Sequence, residues 1–245
     1  MANLADIVFM SIRAPHSNHS VLAGNGALFN LLMIANDTKR DEYFNRFYNN
    51  ANESFDAYTW TLNNFTENGV WPETFSYSKD SHGLVIQSLN VIDRYNPSLN
   101  LLNNHLNILD GFIGYANWFY PSSELMRFGD SGIDGDMTNE YRWILSIATR
   151  KNLPSYKQLA TQNLKHYYDQ NGGYAPVIEY ERLEFNSPLQ LLWGEHVAAT
   201  ETAVAPKVET TYNLKHAGLL VQRNFNTTDV KNNGLMYYSG GSAYV

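Results

Sequence analysis

Tyr141-Arg142-Trp143-Ile144-Leu145-Ser146-Ile147-Ala148-Thr149-Arg150-Lys151-Asn152-Leu153-Pro154-Ser155-Tyr156-Lys157-Gln158-Leu159-Ala160 is the stretch on which the fold turns. Tyr141, Ile144, Leu145 and Ala148 recur at steps of three and four, the signature of one helical face. Asn152-Leu153-Pro154 breaks the pattern, and Tyr156, Ala160 and Tyr167 then resume it. A break this short between two helices favours antiparallel neighbours, so the stretch reads as a helical hairpin.

The same reading extends upstream. Phe44, Phe47, Tyr48 and Ala51 mark one face, and Phe55, Tyr58, Leu62 and Phe65 the next. Val85, Leu89 and Ile92 follow, then Leu102, Leu106, Leu109 and Ile113, with turn signals at Asn36-Asp37, Asn68-Gly69, Asn96-Pro97, 129–135 and Asn171-Gly172-Gly173. Successive hairpins are therefore expected over residues 1–205. Near Pro206 the character changes. Gly218 to Arg223 and Gly234 to Tyr238 read as short strands joined by a loop over 224–233. Residues 206–245 are expected to open a β domain whose strands either lean on the helices or continue beyond Val245, since two or three strands do not bury their own face.

Composition narrows the function classes. With 245 residues and 44% hydrophobic content the chain has material for a large core and is not disordered. A net charge of −7 argues against general nucleic-acid affinity, and an anionic polymer would need a local basic groove. No apolar run reaches membrane-spanning length, and the absence of Cys excludes thiol chemistry. Seventeen Tyr and five Trp suit a core edged with tyrosine, or faces for stacking on sugar rings.

Three clusters hold candidate chemistry. Arg13, His16, Ser17, Asn18 and His19 precede a helix near Val21. Ser17 or Asn18 suits an N-cap, and the cluster also offers an amide, a neutral base and positive charge at a helix N-terminus, where a carboxylate is favoured. Gly69-Val70-Trp71-Pro72-Glu73-Thr74-Phe75-Ser76-Tyr77-Ser78-Lys79-Asp80-Ser81-His82 reads as a loop joining two helices. Its plain alternative is a staple of Trp71 on Phe75, with Asp80 or Ser81 capping the next helix. Arg127-Phe128-Gly129-Asp130-Ser131-Gly132, with Asp134 and Asp136, lacks the later Glu of a calcium loop and reads as a capped turn. Nucleophile-elbow, phosphate-loop, dinucleotide and His-Glu-x-x-His motifs are absent from the sequence.

In this order, the clusters resemble those of the heparinase II/III-like polysaccharide lyases and related alginate lyases. The resemblance runs through Ser17-Asn18-His19, Glu73 with Tyr77, Phe128-Gly129-Asp130-Ser131, His216-Ala217-Gly218-Leu219-Leu220-Val221-Gln222-Arg223 and Tyr237-Tyr238-Ser239-Gly240-Gly241-Ser242-Ala243. It implies a mainly α fold, an incomplete α/α toroid of antiparallel hairpins, followed by the first strands of an antiparallel β-sandwich. It also implies β-elimination on a uronate-containing anionic polysaccharide, in which the C5 proton is removed and the 4-O substituent expelled. Asn18 would hold the uronate carboxylate, with His19 assisting or acting as base, and Tyr77 would be the acid or both acid and base. Arg13, His16, Trp71, Glu73, Lys79, His82 and Arg127 are the expected substrate contacts, with Lys79 lowering the Tyr77 pKa. No cofactor or metal is expected within these residues. The family's further catalytic His and its structural metal belong to the β domain past Val245, so the chain is expected to be truncated and inactive alone. A periplasmic or secreted location follows from the resemblance. Two other classes stay open. One is a glycoside hydrolase using a carboxylate pair from Glu73, Asp80, Asp130 and Glu195. The other is a non-catalytic sugar-binding fragment.

Overall fold

The computed structural model describes residues 17–49, 58–65, 69–119, 126, 137–170, 192, 195, 197–198, 200–204, 208–215, 218–224 and 234–239, the side chains of 112, 113 and 234–239 excepted. Among these residues the fold is mainly helical. The helices are α1 (Asn18–Leu32), α2 (Asp37–Asn49), α3 (Tyr58–Leu62), α4 (Phe75–Tyr95), α5 (Leu101–Asn104), α6 (Asn107–Tyr115), α7 (Thr138–Arg150) and α8 (Pro154–Gln170). Single 3-10 turns occupy Pro97–Leu99 and Ala116–Trp118. Strands β1 (Thr211–Leu214), β2 (Leu219–Asn224) and β3 (Gly234–Ser239) form an antiparallel sheet in sequence order.

Side-chain bonds fix how the helices run. Asn18 N–H bonds Glu73, just before α4, while Asn25 Nδ2 donates to Gln87 Oε1 (3.1 Å) and Ser88 Oγ to Asn25 Oδ1 (2.8 Å). Contacts that rise together along both chains make α1 and α4 parallel. Gly83 abuts Glu140, Arg94 reaches Ser146 (3.3 Å), and Arg150 reaches Asn90 and Asp93, so α7 runs parallel to α4 as well. The return helices run the other way. Phe75 stacks on Trp118 at the start of α4, while His82 meets Ile108, so α6 is antiparallel to α4. Leu153 N–H bonds Ala148 O, and Arg142 bonds Tyr168, so α8 folds back on α7. The hairpin expected from 141–160 is present, and the chain alternates between three parallel helices and their antiparallel returns.

The core lies among these helices. Trp71, Phe75, Ile86, Trp118 and Ile144 are fully enclosed or nearly so. Gly69 has φ +67°, and a Cβ there would fall 1.9 Å from Asn107 O. Glycine alone therefore lets the loop before α4 lie on the backbone of α6. The sheet leans on the helices. Arg223 of β2 donates to the carbonyls of Asn117 and Phe119, and Glu209 N–H bonds Asn117 Oδ1 at 2.7 Å. Gly114 of α6 leaves room for the Tyr212 hydroxyl of β1.

Three expectations change. The 69–82 stretch is a loop only to Thr74, because α4 starts at Phe75, and Asp80 and Ser81 are helix interior and not caps. The single face expected over Leu102 to Ile113 is two helices. Asn100 has φ 53°, Asn103 Nδ2 bonds Asn100 Oδ1, and His105 N–H bonds both Leu101 O and Leu102 O. Local amide bonds of this kind compete with continuous helix. Strand β1 was missed, being only four residues with alternating exposure.

Candidate active site at the shared N-terminal end

Parallel α1, α4 and α7 bring their first turns to one end of the bundle. Two of the three sequence clusters lie there, and Met137, the residue before α7, follows the third. Three helix N-termini together favour negative charge. Ser17 is the N-cap of α1, its Oγ accepting from His19 N–H at 3.2 Å.

Glu73 joins the first two clusters. Its Oε2 accepts from Trp71 Nε1 at 2.7 Å, and it also takes Asn18 N–H and lies near His19. Burial raises the Glu73 pKa, opposed by the Trp71 bond, the His19 charge and the Asn18 N–H. Glu73 is thus a half-buried carboxylate held at the start of α1. Buried Ser78 fixes the turn beneath it: its Oγ takes Glu73 N–H (3.3 Å) and lies 2.7 Å from the carbonyl oxygens of Trp71 and Glu73.

Tyr77 follows in the first turn of α4 and is 39% exposed. His19 is exposed and Asn18 half-buried. The fold brings Asn18 and His19 to Glu73, and Tyr77 stands four residues further along the chain, in the first turn of α4. Two expected substrate contacts are corrected. Trp71 is fully buried and uses its indole N–H on Glu73. His82 is also fully buried, its Nε2 bonding Ile108 O and its ring lying between Phe65 (5.4 Å) and Tyr115 (5.3 Å). Burial lowers its pKa to about 3, opposed by the Ile108 bond, so it is a neutral core histidine. Lys79, two residues from Tyr77, meets Asp80 at 3.8 Å. Arg13, His16, Arg127 and Asp130 lie outside the described residues.

Of the hydrolase carboxylates, Glu73 and Glu195 lie at opposite ends of α4. Glu195 acts on Arg94 near the far end of α4, roughly 30 Å of helix away from Glu73. Beside Asp80, the fold instead supplies a group the sequence reading missed. A cleft of about 220 Å³ between α4 and α7 is lined by Asp80, Gly83, Gln87, Asn139, Glu140 and Trp143. Its sequence signal is faint: polar residues at helical spacing on otherwise apolar faces.

Comparison with known proteins identifies the family. The family described as the second domain of endo-acting ulvan lyases matches residues 67–208, more than half of the chain. The endo-acting ulvan lyase of Formosa agariphila is 32% identical over 231 residues, which cover 94% of this chain and 28% of that protein. The chain therefore spans little more than a quarter of that relative's length. No solved structure matches.

Proposed function

The chain belongs to the family of the second domain of endo-acting ulvan lyases, and from that membership we propose that it is the helical part of a polysaccharide lyase. Its substrate is a uronate-containing anionic polysaccharide, cleaved by β-elimination, and ulvan is the first candidate because the relative bears that name. The alternation of parallel and antiparallel helices supports an arc of an α/α toroid, and with it the narrower heparinase II/III-like affiliation. A periplasmic or secreted location belongs to the same reading.

One observation carries the mechanism: Asn18, His19, Glu73 and Tyr77 share the end where three helix N-termini gather. The uronate carboxylate sits against that positive end, held by the Asn18 amide. This neutralisation makes the C5 proton more acidic. His19 takes the C5 proton while the Tyr77 hydroxyl protonates the leaving 4-oxygen, or Tyr77 as the phenolate takes the C5 proton and then gives it to that oxygen. Glu73 positions the start of α1 beside α4 and keeps His19 in a locally negative setting.

The test is absorbance from unsaturated uronate, measured with ulvan, alginate, chondroitin and heparan-type chains. It is run on this chain and on any longer gene product that carries it, with Tyr77→Phe as control. Absorbance that rises with the native protein and not with the variant supports the lyase. Reducing ends released without absorbance would replace it with a hydrolase.

A further inference from the structure

We infer that Trp71 and Ser78 are positioning residues for the proposed elimination: together they hold the Glu73 carboxylate against the first turn of α1. The geometry stands on bonds within the fold, and its consequence for turnover rests on the lyase reading. The turn that carries Glu73 is short. Glu73 N–H bonds Trp71 O at 2.9 Å, closing a three-residue turn centred on Pro72, whose ring presets φ. Ser78, fully buried in the first turn of α4, clamps it from beneath. Its Oγ lies 2.7 Å from the carbonyl oxygens of Trp71 and Glu73, donates to one of them, and accepts Glu73 N–H at 3.3 Å. Ser78 N–H in turn bonds Thr74 O at 2.8 Å, and the residue before it is Tyr77. The carboxylate and the phenol are therefore tied to the same turn of α4.

Packing alone does not explain this arrangement. The Trp71 ring is fully buried and lies 5.1 Å from Phe65, a contact that any apolar ring could make. Its indole N–H nevertheless donates to Glu73 Oε2 at 2.7 Å. Glu73 gains nothing from the core, since burial raises its pKa and so disfavours its charge. A carboxylate kept in such a place needs donors. Trp71 Nε1 is one, Asn18 N–H is another, and His19 adds its charge. Asn18 and His19 are the residues to which the elimination assigns the uronate carboxylate and a proton. With one oxygen fixed by a buried indole, the carboxylate does not swing away from α1, and both side chains project from an anchored backbone.

The test reads geometry and turnover separately. By NMR in the 245-residue chain, the Trp71 indole N–H and the Asn18 backbone N–H are followed through a pH titration, the indole being identified with Trp71→Phe. Both should move together as Glu73 ionises, because a carboxylate accepts more strongly than its acid, and this step should be missing in Glu73→Gln. In Trp71→Phe and in Ser78→Ala, which removes a single buried oxygen, the Asn18 step should shrink severalfold. Turnover is then measured per folded molecule as unsaturated uronate. Trp71→Phe should lower kcat by about 10²-fold, the scale of a misplacement of about 1 Å, with KM changed far less. Ser78→Ala should act in the same direction. If Trp71 acts through Glu73, adding Trp71→Phe to Glu73→Gln should cost little beyond the worse single change, whereas independent losses would multiply. An Asn18 step of native size in both variants, an indole that ignores Glu73, or multiplying losses would overturn the positioning role. The expected NMR steps with no product from any substrate would sink the lyase alone. Product, with an Asn18 step untouched by either variant, would sink this inference alone.

Discussion

The two ends of the parallel trio α1, α4 and α7 follow opposite electrostatic plans. At the C-terminal end, Asp93 is almost fully enclosed, with Lys151 Nζ at 2.8 Å and the Arg150 guanidinium bonded to its other oxygen. Burial alone would raise its pKa, but the Lys151 and Arg150 bonds and charges hold it below the usual carboxylate range. Cations are also what helix C-termini favour, so the two charged partners and the helix ends together outweigh the cost of burial. At the N-terminal end, Glu73 is half-buried with its pKa raised, Tyr77 is open to solvent, and the helix ends favour an anion that the protein supplies only in part. One end is built to hold the helices together. The other gives up some stability to present reactive groups, as functional sites commonly do.

The largest effect that would sharpen this contrast is on turnover. Tyr77→Phe is expected to lower formation of unsaturated uronate by about 10³-fold, roughly 4 kcal/mol of transition-state stabilisation. Unfolding by urea should shift by less than about 0.5 kcal/mol, because the residue is partly exposed. A large loss of stability would mean that the N-terminal end is structural after all.

Asp93→Asn should do the reverse. Removing the carboxylate leaves Arg150 and Lys151 facing a neutral amide. The expected cost is about 2–3 kcal/mol, toward the low side for a broken buried pair because both cations are partly exposed. Product formation per folded molecule should not change. The depressed Asp93 pKa fixes the sign of the pH dependence: its stabilisation is complete above the usual aspartate pKa and is lost as pH falls through the lower folded value. Acid titration of unfolding in native and Asp93→Asn proteins checks this, and parallel acid limbs would refute it.

How far the sequence reveals these ends depends on the kind of information each uses. The hairpin over 141–160 was legible because it carries a local period, and strands β2 and β3 because each is a short, largely apolar run opened by Gly. So was Ser17 as a cap, and Tyr77 stood out as one of several groups in a short segment. The parallel order of α1, α4 and α7 was not legible, because it is set by pairs such as Asn25 with Gln87 and Arg94 with Ser146, 62 and 52 residues apart. For the same reason Glu140 and Asn139 were not joined to Asp80. His82 misled because a histidine in a polar-looking run reads as surface, and only the packing of Phe65 and Tyr115 makes it core.

His82 tests whether the open end rests on a rigid base. Its folded pKa of about 3 is depressed by burial, so its contribution is complete above the unfolded value near 6.5 and declines as pH falls toward 3. His82→Gln should cost about 2 kcal/mol at neutral pH, through lost packing and a weakened bond to Ile108 O. It should also flatten the stability profile between pH 6.5 and 3. Any effect on turnover should follow the folded fraction. A shifted pH–rate profile at full folding would instead make His82 part of the chemistry.

The smallest effect has the opposite sign. Because the Glu73 pKa is raised, its ionised form disfavours folding. Its favourable contribution exists below the unfolded pKa and is lost as pH rises through the folded value. Glu73→Gln keeps an oxygen for Trp71 Nε1 and removes the partly desolvated charge. At neutral pH it should stabilise the protein by a few tenths of a kcal/mol, up to about 1 kcal/mol, with solvent screening holding the gain down. Turnover should fall, since the carboxylate no longer acts on His19 or fixes Asn18 against α4. Urea unfolding at neutral and acid pH decides the matter: the gain should vanish in acid, where Glu73 is already protonated. Neutralising a carboxylate would then stabilise the protein at one end of the same helix and destabilise it at the other. A loss of stability in both variants would place Glu73 in the same structural class as Asp93, and the division between the two ends would fail.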